Sequence, residues 1–133
     1  MMKELFQHAA ITHDVTVRVA VNFLPEQSRP SAGKWFWVYH IRIENGSDQD
    51  IRLMTRHWRI TDGRGMVSHV DGDGVVGENP RLKPGTAHDY VSGCPLTTPS
   101  GSMEGFYTFE TDNGPVEVRI PFFPLAAPAT ADR

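Results

Sequence analysis

VTVRVAVNF, residues 15–23, alternates apolar with mostly polar side chains along its whole length. A period of two turns one face toward a core and the other toward water, which is typical of a β-strand. Val17 and Val19 are therefore predicted to be core residues. WFWVYHIRIEN, residues 35–45, repeats the alternation, and its Trp37 and Ile41 are predicted to pack in the same core.

Turn residues connect these strands to the next ones. Asn45-Gly46 tolerates the positive φ of a tight turn and predicts a hairpin between strand 35–45 and a strand over about residues 50–62. Along this second strand the large apolar residues change phase, from Ile51 and Leu53 to Trp58. A phase change of this kind predicts a β-bulge near Met54–Arg56.

A second hairpin is predicted near the C-terminus, with Asp112-Asn113-Gly114 as its turn. On its last strand Val116, Val118, Ile120 and Phe122 alternate with Glu117, Arg119 and Pro121, which predicts that the four apolar residues share one face. Val118 and Ile120 are predicted to be core residues. Pro121 cannot donate a backbone hydrogen bond, so it predicts a sheet edge or a strand end.

The whole pattern predicts an all-β fold. Seven or eight short strands separated by turns, with 12 Gly and 10 Pro, leave little room for a long helix. The prediction is a two-sheet antiparallel β-sandwich, immunoglobulin- or fibronectin type III-like, with a barrel as the alternative. LKPGTAHDY, residues 82–90, resembles the segment of such domains in which a tyrosine hydroxyl, here that of Tyr90, bonds to upstream backbone.

Composition restricts the class of protein. A chain of 133 residues favours one domain, and a net charge of -3 gives no basic footprint for nucleic acid or an anionic membrane. No apolar run approaches the length of a membrane span, and the N-terminus lacks the apolar core of a signal peptide. Cys94 is the single cysteine, so no internal disulfide forms and a cytoplasmic location is predicted. A lone cysteine of this kind is predicted to be a small buried hydrophobe.

GDGVVG, residues 72–77, has the G-x-G-x-x-G spacing of a nucleotide-binding loop. Such a loop opens a helix whose N-terminal N–H groups meet the phosphates, but Pro80 and Pro84 fall where that helix would have its first turns. Gly77 is followed by Glu78 rather than Lys, which excludes a P-loop. The stretch is predicted to be a turn or bulge, with ATP or NAD binding no tighter than about millimolar.

No catalytic or metal-binding set can be assembled from spacing alone. The six histidines contain no pair at ligand spacing, so no metal site, no cofactor and no catalytic residue is predicted. Arg56 and Arg59 flank His57 and Trp58. Two interpretations are open: a face that binds an anion or a partner, or, as we favour, a core Trp58 with the arginines paired to acids.

Three segments closely resemble the ApaG family: RHWRITDGRGMVSHVDGDGVVGENPRLKPG, YVSGCPLTTPSGSMEGFYTF and VRIPFF. The resemblance covers about residues 13–125, and the family's Arg-His-Trp stretch matches residues 56–58, its glycine loop residues 72–77. It implies a fibronectin type III-like sandwich without catalytic residues. It also implies a link to cobalt resistance and magnesium efflux, known for the small stand-alone bacterial members. In eukaryotic F-box proteins and a polymerase-delta-interacting protein the domain resembles a protein-interaction module.

These observations predict an N-terminal extension at residues 1–12, the domain at 13–125 and a disordered tail at 126–133. The predicted function is a non-enzymatic binding module for a protein partner, with neither nucleic acid nor membrane involved, and an exposed sheet edge that could pair two copies into a homodimer. The alternative is a small-molecule binder that takes a divalent cation or phosphate weakly at the glycine loop. The ligand-binding candidates are Arg56, His57, Gly72, Gly74 and Gly77.

Overall fold

Strands make up most of the chain. The computed structural model describes residues 6–129. Within them the strands are β1 (His8–Thr12), β2 (Val15–Phe23), β3 (Trp35–Asn45), β4 (Ile51–Asp62), β5 (Val67–Asp73), β6 (Arg81–Leu82), β7 (Ala87–Leu96), β8 (Ser100–Thr111) and β9 (Gly114–Ala126). The helical content of these residues is two 3-10 turns, Pro25–Gln27 and Pro30–Ala32, and no helix of residues 6–129 is long and apolar enough to cross a membrane.

The strands form two antiparallel sheets. The first sheet has the order β1-β2-β3-β7 and the second the order β5-β4-β8-β9, with the short β6 pairing the start of β4. Alternate residues of both sheets meet in one core, as the period-two pattern predicts. The all-β two-sheet sandwich is confirmed.

The core lies between the sheets and contains the predicted residues. Those six side chains are buried: Val17, Val19, Trp37, Ile41, Val118 and Ile120. Phe123 joins the two sheets, with its ring centroid 5.8 Å from that of Tyr39 on β3 and 6.0 Å from that of Trp58 on β4. Burying a large apolar side chain contributes about 1.5–3 kcal/mol, so these rings are a main source of stability.

The hairpin predicted at Asn45-Gly46 is wrong. β3 pairs with β2 and β7, whereas β4 belongs to the other sheet, so the chain crosses between sheets here. Asn45 is buried, and its side-chain amide donates to the carbonyls of Gln49 (2.8 Å) and Leu82 (3.0 Å). The asparagine therefore ties a corner between the sheets instead of forming a two-residue turn.

The C-terminal hairpin is confirmed, because β8 pairs with β9 through the turn at residues 112–113. The predicted bulge in β4 is also confirmed, since the register with β8 shifts at Met54. A second register shift opposite Glu104, however, means that Phe122 does not share the face of Val118 and Ile120, as the alternation predicts. Phe122 is 52% exposed, and its neighbour Phe123 is fully buried instead.

Tyr90 lies in the core but does not form the predicted bond to upstream backbone. It sits on β7, opposite Ile41 of β3, and faces the second sheet. Its hydroxyl is hydrogen-bonded to that of Tyr107 on β8. Burial raises the pKa of both phenols, so both stay protonated across the physiological range.

The two long flanks of the sandwich differ. On one flank β1, which lies in the predicted N-terminal extension, approaches β9, and the amide of Arg119 donates to the Thr12 hydroxyl at 3.1 Å. β9 continues to Ala126, and the amide of Ala127 donates to the carbonyl of Pro99, so the start of the predicted tail is part of the domain; residues 1–5 and 130–133 of the two predicted ends lie outside the described residues. The other flank has β5 and β7 as its edges.

Candidate functional site

Arg56 organises the glycine stretch. It pairs with Gly72 across β4 and β5, and its guanidinium lies where a side chain at Gly72 would be. Its Nη1 donates to the carbonyl oxygens of Asp73 (2.8 Å) and Gly74 (3.0 Å). Arg56, Gly72 and Gly74 are therefore brought together, with the arginine bound by the loop itself.

The tip of the stretch is a two-residue turn. Val75 and Glu78 exchange backbone hydrogen bonds of 2.8 and 3.0 Å, and between them Val76 (φ 48°) and Gly77 (φ 78°) both have positive φ. This is the geometry of a type I′ turn, which glycine adopts freely and a β-branched valine does not. The prediction that GDGVVG is a turn region is confirmed.

This geometry leaves the loop few donors for an anion. A phosphate cradle needs several backbone N–H groups directed at the ligand. Here the amides of Gly74, Val75 and Glu78 are bonded to carbonyls of the protein, at 2.9, 2.8 and 3.0 Å. With the Arg56 Nη1 also bonded within the loop, the stretch is built to hold its own conformation.

His57, the remaining candidate, points to the opposite face of β4. Its Nδ1 is 2.7 Å from a carboxylate oxygen of Asp71, and its Nε2 is 2.9 Å from the hydroxyl of Thr55. The ring stacks on Phe106, with 4.5 Å between centroids. The structure therefore does not bring His57 together with Arg56 and the glycines.

Sequence reasoning missed the chain of hydroxyl, imidazole and carboxylate that this creates. Thr55 and His57 share a strand face, and the register of β4 with β5 places Asp71 opposite His57. The signal that could have revealed the chain was the period-two alternation combined with the pairing of these two strands. The catalytic triad of a hydrolase uses the same three kinds of group, a hydroxyl, an imidazole and a carboxylate. The Thr55 hydroxyl is also hydrogen-bonded to that of Thr108, so the network holds the imidazole in place at both ring nitrogens.

A shallow hollow of about 360 Å³ surrounds His57 on this outer face, with Arg59 and Arg119 at its border. Trp58 is in the core, as we favoured, but the expected pairing of Arg56 and Arg59 with acids is wrong for the described residues, which give neither an ion pair. The physical reason at Arg56 is that its guanidinium donates to carbonyl oxygens of the glycine stretch instead of to a carboxylate. No three His, Cys, Asp or Glu side chains of residues 6–129 cluster as metal ligands.

Cys94 is buried as predicted, 3% exposed, on the inner face of β7. Burial raises the pKa of its thiol to about 11. Because the thiolate is the reactive form, at pH 8 the thiol is expected to react with Ellman's reagent on the order of 100-fold more slowly than the same chain unfolded in guanidinium. The rate should rise about tenfold per pH unit up to pH 11. Equal rates for the folded and unfolded protein would contradict this placement.

The flank that has β5 and β7 as its edges contains an opening between the sheets, here called the inter-sheet cleft, of about 520 Å³. Trp35 and Leu96 line it from the first sheet, and Ile60, Met66 and Ser68 from the β4–β5 side. Lys34 lies at its border and is exposed.

β5 borders this cleft as a sheet edge. Among residues 6–129 it pairs with β4 alone, and nearly all of its residues are exposed. Met66, just before the strand, is 66% exposed, and Val67 and Val70 are exposed as well.

The fold and these surfaces define a class: a small antiparallel β-sandwich with an open edge, in which residues 6–129 form no helix-based phosphate site. The model of the ApaG domain matches residues 25–111. Protein ApaG of Agrobacterium fabrum is 49% identical over 122 residues, which cover 91% of this chain and 94% of that protein. Protein ApaG of Rhodospirillum centenum is 47% identical over the same length. The chain belongs to the ApaG family.

Solved structures agree. The crystal structure described as the ApaA protein of Bordetella pertussis has a TM-score of 0.84 and 45% identity, covering 90% of this chain and 98% of that one. The C-terminal domain of Wzt, at 10% identity and a TM-score of 0.54, shares the fold alone.

Proposed function

We propose that this protein is a non-enzymatic binding module that captures an extended segment of a partner protein as an added strand along β5. The single observation that carries the proposal is that β5 is an exposed sheet edge that pairs on one side alone within residues 6–129. Strand addition of this kind obtains affinity from backbone hydrogen bonds and specificity from alternate side chains.

The backbone of β5 has groups available for such pairing. Asp62 N donates to Met66 O and Gly74 N to Met54 O, so in the antiparallel ladder the even-numbered residues bond to β4. The N–H and C=O groups of Val67, His69 and Asp71 then face away from β4. They form a template for three or four hydrogen bonds with an incoming strand.

β5 contains two charged residues, Asp71 and Asp73, but lacks the proline and lysine that commonly protect a sheet edge. Proteins discourage edge pairing with proline, lysine or a covering element. β9, the opposite edge of the same sheet, has Pro121 and Pro124 and lies against β1. The sequence of β5, VSHVDGD, contains neither proline nor lysine. An added strand would cover the exposed Val70 and the mouth of the inter-sheet cleft, so apolar residues at alternate positions are the partner's expected chemistry.

The family supplies a cellular setting for the proposal. Its bacterial members are associated with cobalt resistance and magnesium efflux, and its eukaryotic domains resemble interaction modules. We propose that the captured partner acts in that cation response. A module of this kind needs neither a cofactor nor a catalytic group, and it works where its partner is, for which we propose the cytoplasm.

His69→Pro tests strand addition directly. The outward N–H of residue 69 is lost without breaking a bond to β4, whereas His69→Ala, the matched control, keeps it. Tagged versions of wild type and both variants are purified from the native cell, and co-purifying proteins are quantified by mass spectrometry. A partner retained by His69→Ala and lost at least tenfold by His69→Pro is expected. A partner retained equally by both variants would contradict the proposal.

The same variants distinguish capture of a partner protein from two alternatives, which are pairing of two copies of this chain and binding of a small ligand. If the edge pairs two copies, wild type and His69→Ala sediment as dimers and His69→Pro as a monomer. If the family function lies instead in a small ligand, thermal unfolding shifts by several degrees with sub-millimolar Mg²⁺, Co²⁺, phosphate or pyrophosphate, and His69→Pro shifts equally.

A further inference from the structure

The indole N–H of Trp35 is buried without an acceptor. It is the one side-chain polar atom of residues 6–129 that is fully buried and unbonded. Trp35 itself is 9% exposed. Leaving a buried donor unpaired is costly, and such groups are rare in native proteins. For comparison, the indole nitrogen of Trp37 donates to the carbonyl of Ala126 at 3.3 Å.

Trp35 also lines the inter-sheet cleft. The volume of the cleft, about 520 Å³, falls in the range of small-molecule sites. The walls are mainly apolar, and Phe36, Ile60, Met66 and Leu96 line the cleft together with Trp35. Because Trp35 lines the cleft, the cleft is the route by which we expect an acceptor to approach this N–H.

The charges at the border favour one kind of ligand. Lys34 makes no ion pair with any residue of 6–129, so its ammonium is available. The Asp62 carboxylate, also at the cleft, already accepts from the amides of Arg64 and Met66, at 2.8 and 2.9 Å. Both bonds go to Oδ1, so Asp62 keeps its negative charge but is held by its own turn, and Lys34 is the cation at this border that is left for a ligand.

We propose that the inter-sheet cleft binds a small amphipathic carboxylate. The apolar body packs on Ile60, Met66 and Leu96, the carboxylate pairs with Lys34, and an oxygen accepts from the Trp35 N–H. This site does not depend on strand addition at β5, because it uses the walls of the cleft and not the outward backbone of that strand.

The probes are three compounds with one apolar body: 4-phenylbutyrate, 4-phenyl-1-butanol and 4-phenylbutylamine. Binding is followed by the indole N–H resonances of ¹⁵N-labelled protein, with the Trp35 signal assigned as the one missing from Trp35→Phe. The acid is expected to shift this signal downfield with a Kd on the order of 0.1–1 mM. The alcohol should bind more weakly and the amine not measurably, and the Trp37 signal should stay in place.

Lys34→Gln is expected to weaken acid binding about threefold, and Lys83→Gln, an exposed lysine outside the cleft, to leave it unchanged. This pair keeps the test intact if Trp35→Phe fails to fold, because binding is then followed by the backbone amides of residues 34–36. Three results would overturn the proposal: no shift up to about 10 mM acid, equal binding of all three probes, or equal effects of the two lysine variants. Partner capture at β5 is scored separately, so either idea can fail alone.

Discussion

Gly74→Ala is expected to lower the free energy of unfolding by about 4 kcal/mol, and Gly77→Ala by only about 1 kcal/mol. Both glycines have positive φ, 61° and 78°, so each substitution incurs the cost of a left-handed backbone. At Gly74 a Cβ would also overlap the carbonyl oxygen of Glu78, which is backbone and cannot rotate away. At Gly77 a Cβ meets nothing within 4 Å.

Guanidinium unfolding followed by tryptophan fluorescence measures both variants. The comparison is matched, because both glycines lie in the same loop with a left-handed backbone and differ in the atoms that a Cβ would meet. If Gly77→Ala costs as much as Gly74→Ala, steric closeness to Glu78 does not explain the glycine. If neither costs more than about 0.5 kcal/mol, the loop is mobile and its geometry does not constrain these positions.

Each glycine of the G-x-G-x-x-G stretch then has its own structural reason. Gly72 makes room for the Arg56 guanidinium, Gly74 for the Glu78 carbonyl, and Gly77 completes the turn beside Val76. The spacing imitates a nucleotide loop because a bulky arginine, a close backbone approach and a tight turn follow each other in six residues. The local packing and backbone geometry of this chain therefore give a reason for each of the three glycines.

The strained Val76 is the exception within this stretch. It is 63% exposed with φ 48°, a conformation that asparagine or glycine adopts at lower cost. Nothing in the packing of the domain explains why a β-branched residue stands at this tip.

Period-two alternation was enough to predict the fold class, because that prediction requires only that the strands and their buried faces be known. It placed Val17, Trp37 and Ile120 correctly. It could not show which strands pair, since a corner between sheets and a hairpin turn both use residues such as Asn45-Gly46. The deciding contacts of Asn45 run to Leu82, which is 37 residues away and invisible to local patterns.

The candidate site was predicted less well for a related reason. Arg56 and His57 are adjacent in sequence, but on a strand adjacent residues point to opposite faces, so one motif divides between two surfaces. The partners that define each surface come from β5: Gly72 for Arg56 and Asp71 for His57. Neither the β5 edge nor the inter-sheet cleft has a motif, because both are produced by the arrangement of the sheets.

Phe123→Ala is expected to lower the free energy of unfolding by about 4 kcal/mol, and Phe122→Ala by no more than about 0.5 kcal/mol. Alternation from Val118 and Ile120 predicts the reverse. The structure inverts it because Gly105 pairs with Ile120 and Met103 with Phe123, so β9 has one more residue than β8 across this interval. The extra residue moves every later side chain of β9 to the other face.

Pro121 is what permits this inversion. A proline has no N–H for the ladder, so the pairing is broken at that position, and edge strands and bulges are where sheets accommodate it. The bulge lets Phe123 reach Tyr39 and Trp58 and so close the core between the sheets. Paired guanidinium unfolding curves of the two alanine variants measure the difference. Equal losses of unfolding free energy in the two variants would mean that the strand samples both registers. A larger loss for Phe122→Ala would show that simple alternation holds and that β9 has no bulge here.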